Sequence, residues 1–146
     1  MCSGYKSAIR YLNEKNINTS KVIVSGPSAG AHLSSILCYS KTVQDEYDTD
    51  VSNIIGFIGV GGPYCFSVKT SLSVRILLDQ LFSKDYDRTN GEPCSLMTKN
   101  HIPMLLIQSR HDGLIDFSCA ERLYEKAKSV GNECELYEVV DKKNTH

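Results

Sequence analysis

The chain has 146 residues, 41% apolar and 23% charged, the balance of one globular domain large enough to bury a core. Sixteen basic residues against seventeen acidic ones leave a net charge of −1, so no basic field attracts nucleic acid or an anionic membrane. The longest apolar runs, such as IPMLLI, are far too short to span a bilayer, and the opening MCSGYK lacks the pattern of a signal peptide.

Taken in chain order, the periodicity alternates between helix and strand. Residues 3–14 place Tyr5, Ala8, Ile9 and Leu12 on one helical face. A polar turn at 16–20 leads to a short strand at 21–25, apolar on both sides. Residues 28–40 are helical, with Ala29, Leu33, Ile36 and Leu37 on one face, and the acidic stretch 45–50 is a solvated loop. A second buried strand spans 54–60 and is broken by Gly61-Gly62-Pro63. An amphipathic helix follows at 71–82, then an irregular stretch at 83–100. Residues 103–108 form a third strand. A helix at 118–130 is closed by Gly131-Asn132 in the manner of a left-handed cap, and a last strand covers 134–140. Strands apolar on both faces and separated by helices predict an α/β protein, a three-layer α/β/α arrangement around a mostly parallel sheet. Residues 1–146 read as a single domain, with 64–100 as a cap-like insertion that supplies a substrate pocket.

The six cysteines, Cys2, Cys38, Cys65, Cys94, Cys119 and Cys134, fall one per segment with no C-x-x-C pair. That spacing argues against a zinc site or a disulfide framework and points to reduced thiols in a cytoplasmic, reducing compartment.

The chemistry concentrates at the carboxyl ends of the strands, where an open parallel sheet gathers its functional groups. Ser28, inside Gly26-Pro27-Ser28-Ala29-Gly30, follows the first strand; Asp112 follows the third; His146 follows the last. A serine hydroxyl is a weak nucleophile until an imidazole takes its proton, and the imidazole needs a carboxylate to hold its tautomer. Ser, Asp, His is the chain order of a nucleophile-elbow hydrolase. The bland alternative is that Ser28 simply caps the following helix. Among the other histidines, His32 packs beside that helix, His101 sits at the opposite rim, and His111 adjoins the acid too closely in sequence to share a hydrogen bond with it. Asp116 is the rival acid, better placed to cap the helix that starts near Ser118.

GPSAGAHL, IPMLLIQSRHDGLIDFSCAERLYEKAKSVG and CELYEVVDKKNTH together resemble the carboxyl-terminal half of an α/β-hydrolase. Ser28-Ala29-Gly30 is similar to carboxylesterases of the hormone-sensitive-lipase and kynurenine-formamidase-like groups. The resemblance implies a serine esterase or lipase-like enzyme acting on small acyl esters, without metal or organic cofactor. Ser28, Asp112 and His146 would form the triad, the Ala29 amide would be an oxyanion donor, and Tyr64 and Phe66 would line the substrate pocket. The family's His-Gly-Gly-type oxyanion loop is nowhere in the sequence, and its early strands are missing. The first strand is therefore expected as an apolar sheet edge, open to a missing amino-terminal segment or to a second copy in a homo-oligomer. On this reading the chain is a fragment or truncated product of a larger hydrolase. Two alternatives remain open: an impaired hydrolase acting as an interaction module, and an amidase or peptidase on the same scaffold.

Overall fold

The computed structural model describes residues 1–67 and 71–140. Strands β1 (Val22–Pro27), β2 (Ile54–Val60), β3 (Met104–Ser109) and β4 (Cys134–Val139) form one parallel sheet in the order β1-β2-β3-β4. Helix α1 (Cys2–Glu14) leads into β1, and α2 (Ala29–Tyr39) with α3 (Lys41–Glu46) joins β1 to β2. Helix α4 (Leu72–Leu81), a 3-10 turn (Arg88–Gly91) and α5 (Pro93–Leu96) join β2 to β3, and α6 (Ser118–Ser129) joins β3 to β4. The α/β class and the parallel sheet expected from the alternation are observed, with β1 at an edge.

Register decides where the core sits. Val24, Phe57, Met104 and Cys134 lie side by side across the four strands, and Gly26, Gly59, Leu106 and Leu136 form the matching row two residues on. This face meets Ala31 and Leu37 of α2, Ala120, Leu123 and Ala127 of α6, and Cys2 and Tyr5 of α1 in one cluster. Phe57 and Leu106 are fully enclosed, each such side chain contributing about 1.5–3 kcal/mol. The alanines let the helices approach the sheet closely.

The strand order never reverses, so right-handed crossovers deliver their helices to the same side. The opposite face carries Ile23, Val60 and Tyr137, 60%, 40% and 62% exposed, beside half-buried Ile58, Leu105 and Ile107.

Residues 45–50, expected as a loop, begin with the end of α3. Ser40 Oγ accepts the Val43 N–H at 3.3 Å, and the buried Gln44 amide donates to the Leu37 and Cys38 carbonyls at 2.9 and 3.0 Å. A side chain thus satisfies carbonyls that the end of α2 leaves unpaired. The expected cap of α6 is present, with Gly131 at φ 82°.

Candidate active site

Ser28 stands at the junction of β1 and α2 with φ 49° and ψ −122°. These are the angles of the first central residue of a type II′ turn, a position that normally takes glycine. A side chain held there costs about 1–3 kcal/mol and persists only where its surroundings enforce it. Two restraints do so. The Ser28 N–H donates to the Val60 carbonyl at 2.8 Å, which extends the β1–β2 ladder one residue past the strand. Gly26, two residues back, runs against the first turn of α2, where an added Cβ would stand 2.6 Å from the Gly30 carbonyl carbon and 2.9 Å from the Ala31 nitrogen. Close contact of strand and helix forces the sharp turn between them.

The bland alternative for Ser28 is not what the geometry offers, because its side chain makes no capping hydrogen bond to α2. Its own N–H is committed to Val60. Ala29 is the first residue of α2, exposed at the rim, and the first amides of a helix have no partner within it. That helix terminus is a site of positive potential beside the Ser28 hydroxyl.

The acid loop follows β3. Asp112 is half-buried, and its Oδ1 accepts the N–H groups of Leu114 and Ile115 at 2.8 and 2.9 Å. Its Oδ2 accepts the Gln108 amide at 2.9 Å, which also donates to the Ile115 carbonyl at 3.1 Å. The carboxylate is thus fixed by its own loop and by the last buried turn of β3. Asp116 is exposed, and its Oδ1 takes the N–H and hydroxyl of Ser118 at 2.9 and 2.6 Å, holding the entry to α6 as expected. Arg110 clamps the same loop to β4 through two bonds to Glu138, 2.6 and 2.8 Å, and lies 4.3 Å from the Phe117 ring centroid.

Ser28 and Asp112 therefore share the carboxyl rim of the sheet. Their strands are separated only by β2, on the order of 10 Å across. His146 lies outside the described residues. His32 is half-buried one turn into α2, with Nδ1 2.8 Å from the Pro63 carbonyl and its ring stacked on Phe66 at 5.6 Å. Burial holds it below the ordinary histidine range, so it ties α2 to the 63–66 loop as a neutral ring. His101 and His111 are both exposed.

Tyr64 is enclosed, 1% exposed, with its ring seated over Gly59 and Gly62, and an added Cβ on either glycine would collide with it. Phe66 lies higher, between His32 and Phe82, and packs against Val74, Leu78, Ile115 and Cys119. Its N–H donates to Glu92, a buried carboxylate that also accepts the Ser95 hydroxyl. The 63–66 loop is thus pinned to α2 on one side and to Glu92, at the start of α5, on the other.

Sequence reasoning passed over Gln108 and Glu92. Gln108 carried a signal, an amide at the end of the apolar run MLLIQ, where a buried polar group must have partners. Glu92 gave none, since only the fold brings it under the Phe66 backbone.

A family model described as BD-FAE matches residues 2–127. No curated protein matches the sequence. Among solved structures, the chain is similar to esterase 2 of the planctomycete Thermogutta terrifontis. Its sarin-phosphonylated form superposes with a TM-score of 0.70 and 18% identity, over 95% of this chain and 54% of that one. The butyrate-bound form gives 0.68 and 21% over 94% and 53%, and the native form 0.67 and 20% over 95% and 52%. At these identities the likeness is one of fold, a partial α/β-hydrolase fold, and the chain spans about half the length of these structures.

Proposed function

Since the chain belongs to the BD-FAE family, an α/β-hydrolase-like family, we propose that it carries the nucleophile and acid of a serine hydrolase that cleaves carboxylic esters of small acyl groups. Ser28 Oγ attacks the ester carbonyl carbon while the His146 imidazole takes its proton. The developing oxyanion faces the Ala29 N–H at the start of α2. The imidazolium, oriented by Asp112, returns the proton to the leaving alcohol, and water then releases the acyl group from Ser28 by the same steps in reverse. Phe66 forms a wall of the acyl pocket, and Tyr64 supports it from beneath.

One observation carries this reading. Ser28 sits at φ 49° and ψ −122° on a strand-to-helix turn, a conformation normally left to glycine, at the start of α2. The structurally similar esterase is known with butyrate bound and phosphonylated by sarin, which supports a short acyl group and a nucleophile open to organophosphorus reagents. Labelling the folded chain with a fluorophosphonate and mapping the adduct tests the assignment. Modification of Ser28 that disappears in Ser28→Ala is the expected result. Folded protein without an adduct at Ser28 refutes it. Asp112→Asn is expected to lower ester turnover by about 10⁴-fold, because it leaves the imidazole in the wrong tautomer.

The open face and edge favour a second reading, in which β1 takes up a further strand or a second copy of the chain. Ile23 at 60% exposure, on the strand that forms the edge of the sheet among the described residues, is the specific reason. Sedimentation separates the two readings, since catalysis by a lone Ser28 site needs no association.

A further inference from the structure

We propose that Cys65 and Cys94 form a redox-modifiable pair, oxidised by a low-molecular-weight disulfide that bears carboxylates to a bond stapling the 64–67 loop to α5. This site is independent of the hydrolase reading. The Cys94 N–H donates to the Tyr64 carbonyl at 3.0 Å, and both cysteines line one surface depression. A backbone bond between neighbouring positions leaves two Cα atoms about 5–6 Å apart, within the span that a disulfide bridges. One residue further along each segment, Phe66 N–H and the Ser95 hydroxyl meet on Glu92, so the loop and α5 already travel together.

Access singles out this pair among six thiols. Cys94 alone is not buried. It shares with Cys65 a surface depression of about 380 Å³, lined also by Glu92, Arg122, Glu125 and Lys126. Two cations beside two carboxylates suit a small disulfide that bears carboxylates and ammonium groups together, as oxidised glutathione does. Cys119 is also near, its Sγ 3.5 Å from the Cys65 carbonyl, but at 1% exposure it is shielded from any oxidant.

The chemistry is two successive exchanges. The Cys94 thiolate attacks one sulfur of the small disulfide and releases one thiol. The Cys65 thiolate then attacks the Cys94 sulfur, forming the Cys65–Cys94 bond and releasing the second. Two electrons pass to the oxidant, and the two protons of the pair end on the released thiols. Burial first, and the adjoining Cys65 thiol second, push Cys94 above the ordinary thiol range, so the reaction is slow near neutrality and quickens as pH rises.

The experiment uses the whole chain and oxidised glutathione at pH 8.5, followed by alkylation, digestion and mass spectrometry. A Cys65–Cys94 cross-linked peptide with the other cysteines alkylated is expected. Enclosing residues 66–93 should raise Tm by roughly 5–10 °C, reversibly with dithiothreitol. The shift should be absent in Cys94→Ser. The unmodified sequence alone decides the cross-link, whatever the stability of the variant. A lasting glutathione adduct on Cys94, a Cys65–Cys119 bridge, or six alkylated cysteines would each overturn the proposal.

Discussion

Replacing Gly26 by alanine is the sharpest test of how the Ser28 turn is enforced. The new methyl carbon would lie 2.6 Å from the Gly30 carbonyl carbon, 2.8 Å from its oxygen and 2.9 Å from the Ala31 nitrogen. All three are backbone atoms of the first turn of α2, so no rotamer change relieves the clash and the helix itself must move. Overpacking a well-filled site costs about 1–3 kcal/mol when side chains can yield. Here the expected cost is at the top of that range, about 3 kcal/mol, a fall in Tm of roughly 10 °C for a chain of this size. Gly30→Ala is the internal control. Its Cβ would meet only Pro27 Cδ at 3.5 Å, an ordinary contact, and alanine is the better helix former. That variant should be unchanged or more stable by about 0.5–1 kcal/mol. Urea unfolding of the two variants beside the parent chain gives the comparison. Fluorophosphonate labelling of the folded fraction should fall only in Gly26→Ala, where the turn is displaced. If Gly26→Ala is within about 1 kcal/mol of the parent, or if Gly30→Ala costs as much, close packing of β1 on α2 is not what strains Ser28.

Three further outcomes are expected. Ser28→Gly removes a side chain from the positive-φ region and should raise stability by about 1 kcal/mol after the entropy cost of glycine; a lower urea midpoint would count against strain at this turn. The Tyr64 hydroxyl is buried without a hydrogen-bond partner among the described residues, so Tyr64→Phe should be neutral or stabilising by about 1 kcal/mol, and a loss greater than that would reveal a hidden partner. Burial lowers the His32 pKa in the folded chain, so below about pH 6.5 the unfolded state binds more protons and stability falls as pH drops toward the folded pKa. One proton bounds the slope in that window at about 1.4 kcal/mol per pH unit. His32→Gln should remove that part of the pH dependence, and thermal melts of both proteins from pH 7.5 to 5 that run parallel would reject the assignment.

Much was legible in the residues themselves because short-range physics decides it. Alternation of apolar strands with amphipathic helices gives the parallel sheet, and the left-handed glycine after α6 marks a boundary that needs no tertiary information. The rule that parallel sheets gather function at their carboxyl ends puts Ser28 and Asp112 on one rim before any coordinates. The sequence could not decide whether Ser28 caps α2, because both roles use the same residue at the same place. Only the dihedral angles and the missing cap bond separate them. Nor could it decide which glycine of Gly26 and Gly30 is indispensable, since that depends on which Cα faces the neighbouring backbone. Glu92 under Phe66, and Cys94 beside Cys65, are about thirty positions apart in sequence and meet only because the β2-to-β3 connection folds back on itself. The clearest difference concerns the sheet faces. Strands apolar on both sides do not foretell that the face toward α2 and α6 is enclosed while the other leaves Ile23 and Tyr137 60% and 62% exposed. Residue chemistry set what each element is; strand order, a property of the whole chain, set what each element touches.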